Sequence, residues 1–128
     1  MTTLPESPQP LPVPTTDAHT HADSTREHSG LGVADALAMA AAVNVNRIVE
    51  VGTDVASSRT AADLADTFPQ VVAAVAIHPN DAARLGDRLG AELDRLAALV
   101  GSSDRVRGVG ETGLDYFRTR DAEGHALQ

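Results

Sequence analysis

The sequence predicts an α/β fold in which parallel strands alternate with helices. Short apolar runs with β-branched residues are each followed by an Ala- or Leu-rich stretch, and this alternation occurs four times along the chain. The strand segments are largely apolar throughout, which is typical of strands buried on both faces. Such strands, separated by helices, form parallel sheets with right-handed crossovers. The 128 residues are enough for one domain with a modest core.

The first three elements follow from local patterns near the N-terminus. VPTTDAH (13–19) predicts a short first strand. GLGVADALAMAAAVNV (30–45) predicts a helix that is apolar on most sides, and we therefore expect this helix to be well buried. NRIVEVG (46–52) has β-branched residues and a final Gly, which predicts the second strand.

The next two elements have clear boundaries. TDVASSRTAADLADTFP (53–69) predicts the second helix, which Thr53 or Asp54 can cap and Pro69 ends. VVAAVAIHP (71–79) is an almost continuous apolar run and predicts the third strand.

The last three elements complete the alternation. LGDRLGAELDRLAALVG (85–101) predicts the third helix, and RVRGVGETGLD (105–115) begins as the fourth strand. TRDAEGHALQ (119–128) predicts the start of a fourth helix. The third helix has an apolar stripe that we expect to be buried, formed by Leu85, Leu89, Leu93, Leu96 and Val100.

The composition excludes several classes of protein. Disulfides, zinc ribbons and thiol catalysis are excluded because the chain has no Cys. A net charge of −8 makes passive binding of nucleic acid unfavourable, since phosphate contacts need clustered positive charge. No apolar run reaches the ~18 residues of a membrane span, and the start lacks the pattern of a secretory signal, so we expect a cytoplasmic protein. Residues 1–12 are Pro-rich and predict a disordered arm before a folded domain at 13–128.

Two histidines flank a single residue at the end of the first strand. Asp17, His19 and His21 share a face as long as the strand continues, because alternate residues of a strand point the same way. Two neutral imidazoles side by side can chelate a divalent metal ion. Asp17 is placed where a carboxylate could orient a metal ligand. Taken alone, the H-x-H pattern is equally compatible with a pair of surface histidines.

Polar residues also follow the other predicted strands. His78 closes the third strand and Glu111 closes the fourth, at the edge where parallel α/β folds place their sites. His19, His21 and Glu111 would supply two nitrogens and one carboxylate, the ligand count of a catalytic zinc with an open position. Asp115 can act in a turn or support the site, and Arg118 can contact a phosphate or remain a surface charge. We expect the two remaining histidines, His28 in a loop and His125 near the C-terminus, to be solvent-exposed.

Three blocks of this sequence resemble successive motifs of one known family. DAHTHAD (17–23), AIHPND (76–81) and GVGETGLDYFRTR (108–120) are similar to motifs of the TatD-like metal-dependent deoxyribonucleases. That family belongs with the amidohydrolase-like TIM barrels, and the resemblance covers roughly residues 13–128. The GETGLDY block is the most specific of the three, and H-x-H the least. Where the family often has Gly before the I/V-H-P motif, this chain has Ala76.

The resemblance implies a fold, a reaction and roles for several residues. His19 and His21 would bind one divalent ion, and Glu111 would bridge two ions, with Mg²⁺, Mn²⁺ or Zn²⁺ as candidates. His78 would line the site and touch a substrate phosphate. The implied activity is hydrolysis of DNA or another phosphodiester substrate by a water that two metal ions activate.

A TIM barrel takes about 250 residues and eight strands, whereas this chain supplies four predicted strands. Further metal-binding histidines and a late catalytic Asp, which follow in the family, are not present. We therefore interpret the chain as the first half, about four β-α units, of such a barrel. We expect it to be weakly active or inactive alone. An open half barrel also invites self-association.

Two other interpretations remain open at the level of the sequence. The chain could belong to another H-x-H barrel, such as a PHP-type phosphoesterase or an amidohydrolase. The GETGLDY block and the absence of a Lys after the fourth strand argue against these. Alternatively, it could be a non-catalytic metal-binding fragment.

Overall fold

A four-stranded parallel sheet lies at the centre of the computed structural model, which describes residues 6–128. The spatial order of the strands is their order in the chain, and each neighbouring pair is parallel. This arrangement confirms the predicted α/β class and is consistent with a partial (β/α)8 barrel. The strands are β1 (Thr15–Thr20), β2 (Val45–Val51), β3 (Val71–Val75) and β4 (Val106–Val109).

Six helices connect or follow the strands in the described part of the chain. They are α1 (Ala22–Ser29), α2 (Val33–Ala42), α3 (Val55–Thr67), α4 (Pro79–Leu85), α5 (Leu89–Val100) and α6 (Ala122–Leu127), with a 3₁₀ turn at Gly86–Arg88. The helices α2, α3, α5 and α6 confirm the four predicted helices. The helices α1 and α4 were not predicted, because both lie in polar segments without an apolar stripe.

The helix α3 begins with a reciprocal pair of hydrogen bonds. The Asp54 carboxylate accepts from the Ser57 backbone N–H at 2.7 Å, and the Ser57 hydroxyl accepts from the Asp54 backbone N–H at 3.0 Å. This capping box satisfies two of the amides that a helix N-terminus leaves unpaired. Of the two predicted caps, Asp54 is therefore the residue that caps α3.

Small side chains let α3 pack closely against the sheet. A Cβ atom at Gly52, just after β2, would lie only 2.3–2.6 Å from atoms of Ser58. Ser58 is fully buried, and its hydroxyl accepts from the Ala76 N–H and donates to the Ala76 carbonyl. The core forms two clusters, one of Leu37, Ile48, Ala61, Ala65, Val71 and Ala73, and one of Ala62, Val75, Ile77, Ala82, Leu96 and Leu99.

The prediction that the Ala-rich helix is well buried was wrong. Only Leu37 of α2 is buried, and Met39 is 37% exposed. The helix lies over β2 with one face, so its remaining Ala residues stay at the surface. Ala is tolerated there because it has the highest helix propensity of all residues.

The predicted apolar stripe of the third helix was also wrong in part. Leu93 and Val100 are exposed, whereas Leu96 and Leu99 are buried. Four members of the stripe lie in one helix, α5, and only Leu85 lies before the turn at Gly86–Arg88, in α4. The apolar arc of α5 is wider than the face that packs against the core, and the buried edge is the one that carries Leu96 and Leu99.

Two predictions about histidines were wrong in part. His28 is exposed as expected, but it lies in the last turn of α1 rather than in a loop. His125 is half-buried, because its Nε2 lies 2.8 Å from the Thr119 carbonyl and its ring packs on Tyr116. Sequence reasoning missed this because the contact joins two segments that become neighbours only through the turn before α6.

The first residues are only partly described. Residues 1–5 of the predicted Pro-rich arm lie outside the described residues. Residues 6–12 form no helix or strand, and the Leu11 N–H donates to the Val43 carbonyl at 3.0 Å. The disorder of the arm therefore stays a prediction.

Candidate metal centre

The two histidines of the H-x-H motif converge at the end of β1. His19 lies in the strand, and His21 directly precedes α1 as its N-cap residue. Their Nε2 atoms are 3.2 Å apart, and the rings are in an edge-to-face arrangement with centroids 5.1 Å apart. The side chains are 51% and 38% exposed, so solvent reaches both rings. The geometry therefore presents two imidazole nitrogens to one point at the sheet edge.

The neighbouring strand orients the ring of His21. Its Nδ1 lies 2.9 Å from the Val51 carbonyl at the end of β2. A carbonyl only accepts, so Nδ1 carries the proton and donates in this contact. In the neutral ring, Nε2 then has its lone pair free for a metal ion.

Glu111 supplies a carboxylate from the segment after β4, the outer strand opposite β1. It follows β4, and its Oε2 lies 3.4 Å from His19 Nε2 and 4.0 Å from His21 Nε2. Ligand atoms held at the usual ~2.0–2.1 Å from one metal ion lie roughly 3–4 Å from one another. The donor set of His19, His21 and Glu111 fits a divalent ion on these separations and on its chemistry.

His78 faces the other oxygen of the same carboxylate. Its Nε2 lies 3.7 Å from Glu111 Oε1, and its backbone N–H donates to the Thr53 carbonyl at 2.7 Å. Its Nδ1 accepts from the Asn80 backbone N–H at 3.2 Å. A neutral His78 ring whose Nδ1 accepts must carry its proton on Nε2. This ring therefore presents a donor to the site, the opposite of His21.

A small polar network stands behind His78. The Asn80 amide donates to Asp115 Oδ2 at 2.8 Å and its Oδ1 accepts from the Thr119 hydroxyl at 3.1 Å. Asp115 Oδ1 accepts from the backbone N–H groups of Phe117 and Arg118. The Arg118 N–H and the Asn80 amide hold the pKa of the Asp115 carboxyl below its usual range. Asp115 thus forms a turn that fixes the Arg118 backbone, and its role in supporting the site stays a prediction.

Arg118 lines an open cleft beside the candidate metal ligands. The cleft has a volume of about 280 Å³. Two arginines and two carboxylates contribute to it, and Arg84 forms an ion pair with Asp81 at 2.7 Å. Its lining residues are His21, Thr53, His78, Asn80, Asp81, Arg84, Glu111 and Arg118.

Asp17 forms a hydrogen bond with the backbone of the H-x-H motif. Its Oδ1 accepts from the His19 backbone N–H at 3.1 Å, so the contact fixes the strand end rather than an imidazole ring. Asp17 therefore contacts the main chain of His19 and not its ring. Its role in orienting a metal ligand stays a prediction.

Glu50 is the site-related residue that sequence reasoning missed. It is 1% exposed, near the end of β2, and accepts hydrogen bonds from Thr20, Ala22 and Asp23 around the H-x-H motif. Burial raises the pKa of this carboxyl, and the Ala22 and Asp23 N–H groups act in the opposite direction. A charged residue between two Val residues in NRIVEVG was the available signal.

Comparison with known proteins identifies relatives of this chain. A sequence model of the family described as "TatD related DNase" matches residues 16–128. An "Uncharacterized metal-dependent hydrolase TatD" from Mycobacterium tuberculosis is 42% identical over 73 residues, which cover 57% of this chain and 26% of that protein. A "3'-5' ssDNA/RNA exonuclease TatD" from Citrobacter rodentium is 32% identical over 87 residues, which cover 66% of this chain and 32% of that protein. The matched segments thus span about a quarter to a third of these relatives.

None of the described helices is both long and apolar enough to cross a bilayer.

Proposed function

The chain belongs to the TatD related DNase family, and we propose that it provides the metal-binding edge of a hydrolase that cleaves phosphodiester bonds. The observation that carries this proposal is the convergence of His19 Nε2, His21 Nε2 and Glu111 Oε2 within 4.0 Å of one another. The relatives named as a metal-dependent hydrolase and an exonuclease support the reaction class.

The three ligands would hold a divalent ion through two imidazole nitrogens and one carboxylate oxygen. When bound, such an ion supplies Lewis acidity that lowers the pKa of an attacking water and stabilises charge on the leaving oxygen. Glu111 faces His19 and His21 with Oε2, and its Oε1 lies beside His78. A second ion in the complete site would share the Glu111 carboxylate. Zn²⁺, Mn²⁺ and Mg²⁺ are the candidates, because imidazole suits zinc and carboxylates suit the harder ions.

The substrate would be a nucleic acid end or another phosphodiester. His78 presents an N–H to the cleft, and Arg118 and Arg84 line it, with Arg84 Nη1 donating to Asp81 Oδ1 at 2.7 Å. These donors would hold and orient the phosphate, whose charge an acidic chain otherwise repels. The relative named as a ssDNA/RNA exonuclease supports single strands as the first substrates to test. A cytoplasmic location stays a prediction from composition.

A non-catalytic metal-binding role is the second candidate. The candidate ligands His19, His21 and Glu111 are 51%, 38% and 35% exposed. An open site excludes little water and gives weak electrostatic stabilisation of a transition state. Metal binding without turnover by the 128-residue chain would favour this candidate.

Calorimetric titration of the chain with Zn²⁺, Mn²⁺ and Mg²⁺ is the first test. His19→Ala should weaken binding by at least ~10-fold, since one of three ligands is lost. His28→Ala is the matched control, because His28 is exposed on α1 and outside the candidate site. An equal loss of metal affinity in His19→Ala and His28→Ala would contradict the assignment of His19 as a ligand. End-labelled single-stranded DNA and RNA, incubated with each metal ion, would then distinguish hydrolysis from binding alone.

A further inference from the structure

A buried carboxylate lies directly behind the H-x-H motif. Glu50 in β2 is 1% exposed and accepts three hydrogen bonds from the end of β1 and the start of α1. Oε2 accepts from the Ala22 N–H and the Thr20 hydroxyl, both at 3.0 Å, and Oε1 accepts from the Asp23 N–H at 3.3 Å. The Thr20 hydroxyl shares its proton with the Val49 carbonyl, 2.9 Å away. One side chain thus holds both neighbours of His21 in the sequence.

These bonds replace a local helix cap. His21 precedes α1, but its side chain makes no capping bond, and its ring points instead to the Val51 carbonyl. The first amides of a helix need an acceptor. Glu50 provides it from another strand, and its negative charge suits the positive end of the helix. The turn that carries His21 is therefore fixed by tertiary contacts and not by its own sequence.

Two successive residues of β2 control the position of His21. Glu50 accepts from the Thr20 hydroxyl before it and from the Ala22 backbone N–H after it, and the Val51 carbonyl accepts from its Nδ1. Together they determine where His21 Nε2 lies relative to His19 Nε2, 3.2 Å away. A displacement of the turn would separate the two nitrogens that a single ion must bind.

Stability alone is a poor reason for an acidic residue at this position. No cation lies within 4.0 Å of the Glu50 carboxylate among residues 6–128, as the ion pairs found there involve other carboxylates. Burying a carboxylate without a cationic partner is unfavourable compared with an apolar side chain. The compensation comes from the three donors around His21, which indicates a role in shaping that turn.

We propose that Glu50 is a positioning residue of the metal centre, which sets the geometry of His21 by holding the Thr20–Asp23 turn. This inference rests on the proposed function, since it requires that His19, His21 and Glu111 bind a divalent ion. Residues that orient metal ligands typically contribute 10–100-fold to metal affinity. Glu50→Ala should therefore weaken binding of Zn²⁺ by roughly 10–100-fold.

Glu50→Gln is the conservative variant that separates positioning from general destabilisation. A Gln oxygen in the place of Oε2 can still accept from Thr20 and Ala22, while its NH₂ group would face the Asp23 N–H. We expect Glu50→Gln to recover most of the Zn²⁺ affinity that Glu50→Ala loses. In amide hydrogen exchange of the metal-free chain, Ala22 should lose protection in Glu50→Ala and keep it in Glu50→Gln.

Leu99→Ala is the matched control for a loss of core packing. Leu99 is buried on α5 in the second core cluster, away from the H-x-H turn. This variant should unfold at a lower urea concentration and bind Zn²⁺ as the unchanged chain does. The inference is overturned if Glu50→Ala binds Zn²⁺ with unchanged affinity, or if Leu99→Ala loses as much affinity as Glu50→Ala. Failure of the unchanged chain to bind Zn²⁺ would instead overturn the proposed function, and the inference with it.

Discussion

His21 and His78 show how single hydrogen bonds assign opposite tasks to the same residue type. The Val51 carbonyl accepts a hydrogen bond from His21 Nδ1–H, which leaves the lone pair of Nε2 available for a metal ion. The Asn80 N–H donates to His78 Nδ1, which places the proton of the neutral ring on Nε2. One histidine can thus bind a cation, and the other can donate to an anion.

This difference predicts distinct effects of two substitutions. His78→Ala should leave Mn²⁺ affinity within about twofold, but weaken binding of inorganic phosphate to the Mn²⁺-loaded chain by about 10-fold, as expected for a lost bond to a charged group. His21→Ala should instead reduce Mn²⁺ affinity directly. Calorimetry and ³¹P line broadening measure the two affinities. Equal loss of Mn²⁺ affinity in both variants would identify His78 as a ligand.

The lowered pKa of Asp115 predicts that the stability of the chain depends on pH in the acid range. Its pKa is lowered from 3.8, chiefly by the Arg118 N–H and then by the Asn80 amide, so the folded chain favours the ionised form. The stability it contributes is present above the unfolded value and is lost as the pH falls through the lower folded value. Asp115→Asn should therefore be less stable near neutral pH, with a difference that shrinks below pH 3.8.

Urea unfolding at several pH values measures this difference. Asp104→Asn is the matched control, because Asp104 is an exposed carboxylate in the turn before β4. A stability difference for Asp115→Asn that is constant across the acid range would contradict the assignment.

At the level of elements, α5 shows that a periodic apolar stripe does not decide which edge of a helix is buried. Its apolar residues form an arc that is wider than the contact with the core. The core covers Leu96 and Leu99 and leaves Leu93 and Val100 exposed. The period of the apolar residues predicts a helix, but the rotation of that helix about its axis depends on what it packs against.

Leu93 and Leu96 of α5 form a matched pair for testing which edge of the helix is buried. Leu96 is 6% exposed and Leu93 is 48% exposed. Leu96→Ala should lower the free energy of unfolding by about 2–4 kcal/mol through lost burial and a cavity, whereas Leu93→Ala should change it by less than about 1 kcal/mol. Urea denaturation of the two variants measures both values. Equal losses would indicate that α5 packs with the phase of the sequence stripe.

At the scale of the whole molecule, apolar side chains collect on the surface beside β4. Val109, Leu114, Tyr116 and Phe117 are exposed, the last by 78%. Exposed apolar side chains favour association between proteins when they form a common surface. This exposure agrees with the expectation that the chain self-associates, which stays a prediction.

Sedimentation of the chain at increasing concentration tests this expectation. We expect a concentration-dependent rise in mass that Phe117→Ser reduces, because the most exposed aromatic ring is removed. Leu93→Ser is the control, since Leu93 is an exposed apolar residue on α5, away from that surface. A chain that remains monomeric at all concentrations would contradict the prediction.

The sequence by itself determined the α/β class, the parallel strands, the family and the candidate ligands. Apolar β-branched runs with helical connections leave few other folds, and a parallel sheet gathers its strand ends at one edge. His19, His21, His78 and Glu111 therefore could be expected near one another, and their ring and carboxylate atoms lie within a few ångströms.

Only the tertiary structure decided the parts that depend on neighbours distant in the sequence. Glu50 lies 27–30 positions from its three donors, and no local pattern shows that its carboxylate holds the turn around His21. The protonated nitrogen of each imidazole likewise depends on which backbone group lies beside it. Periodicity reports the local backbone and the average burial of a segment, whereas these features follow from which atoms the packed chain brings into contact.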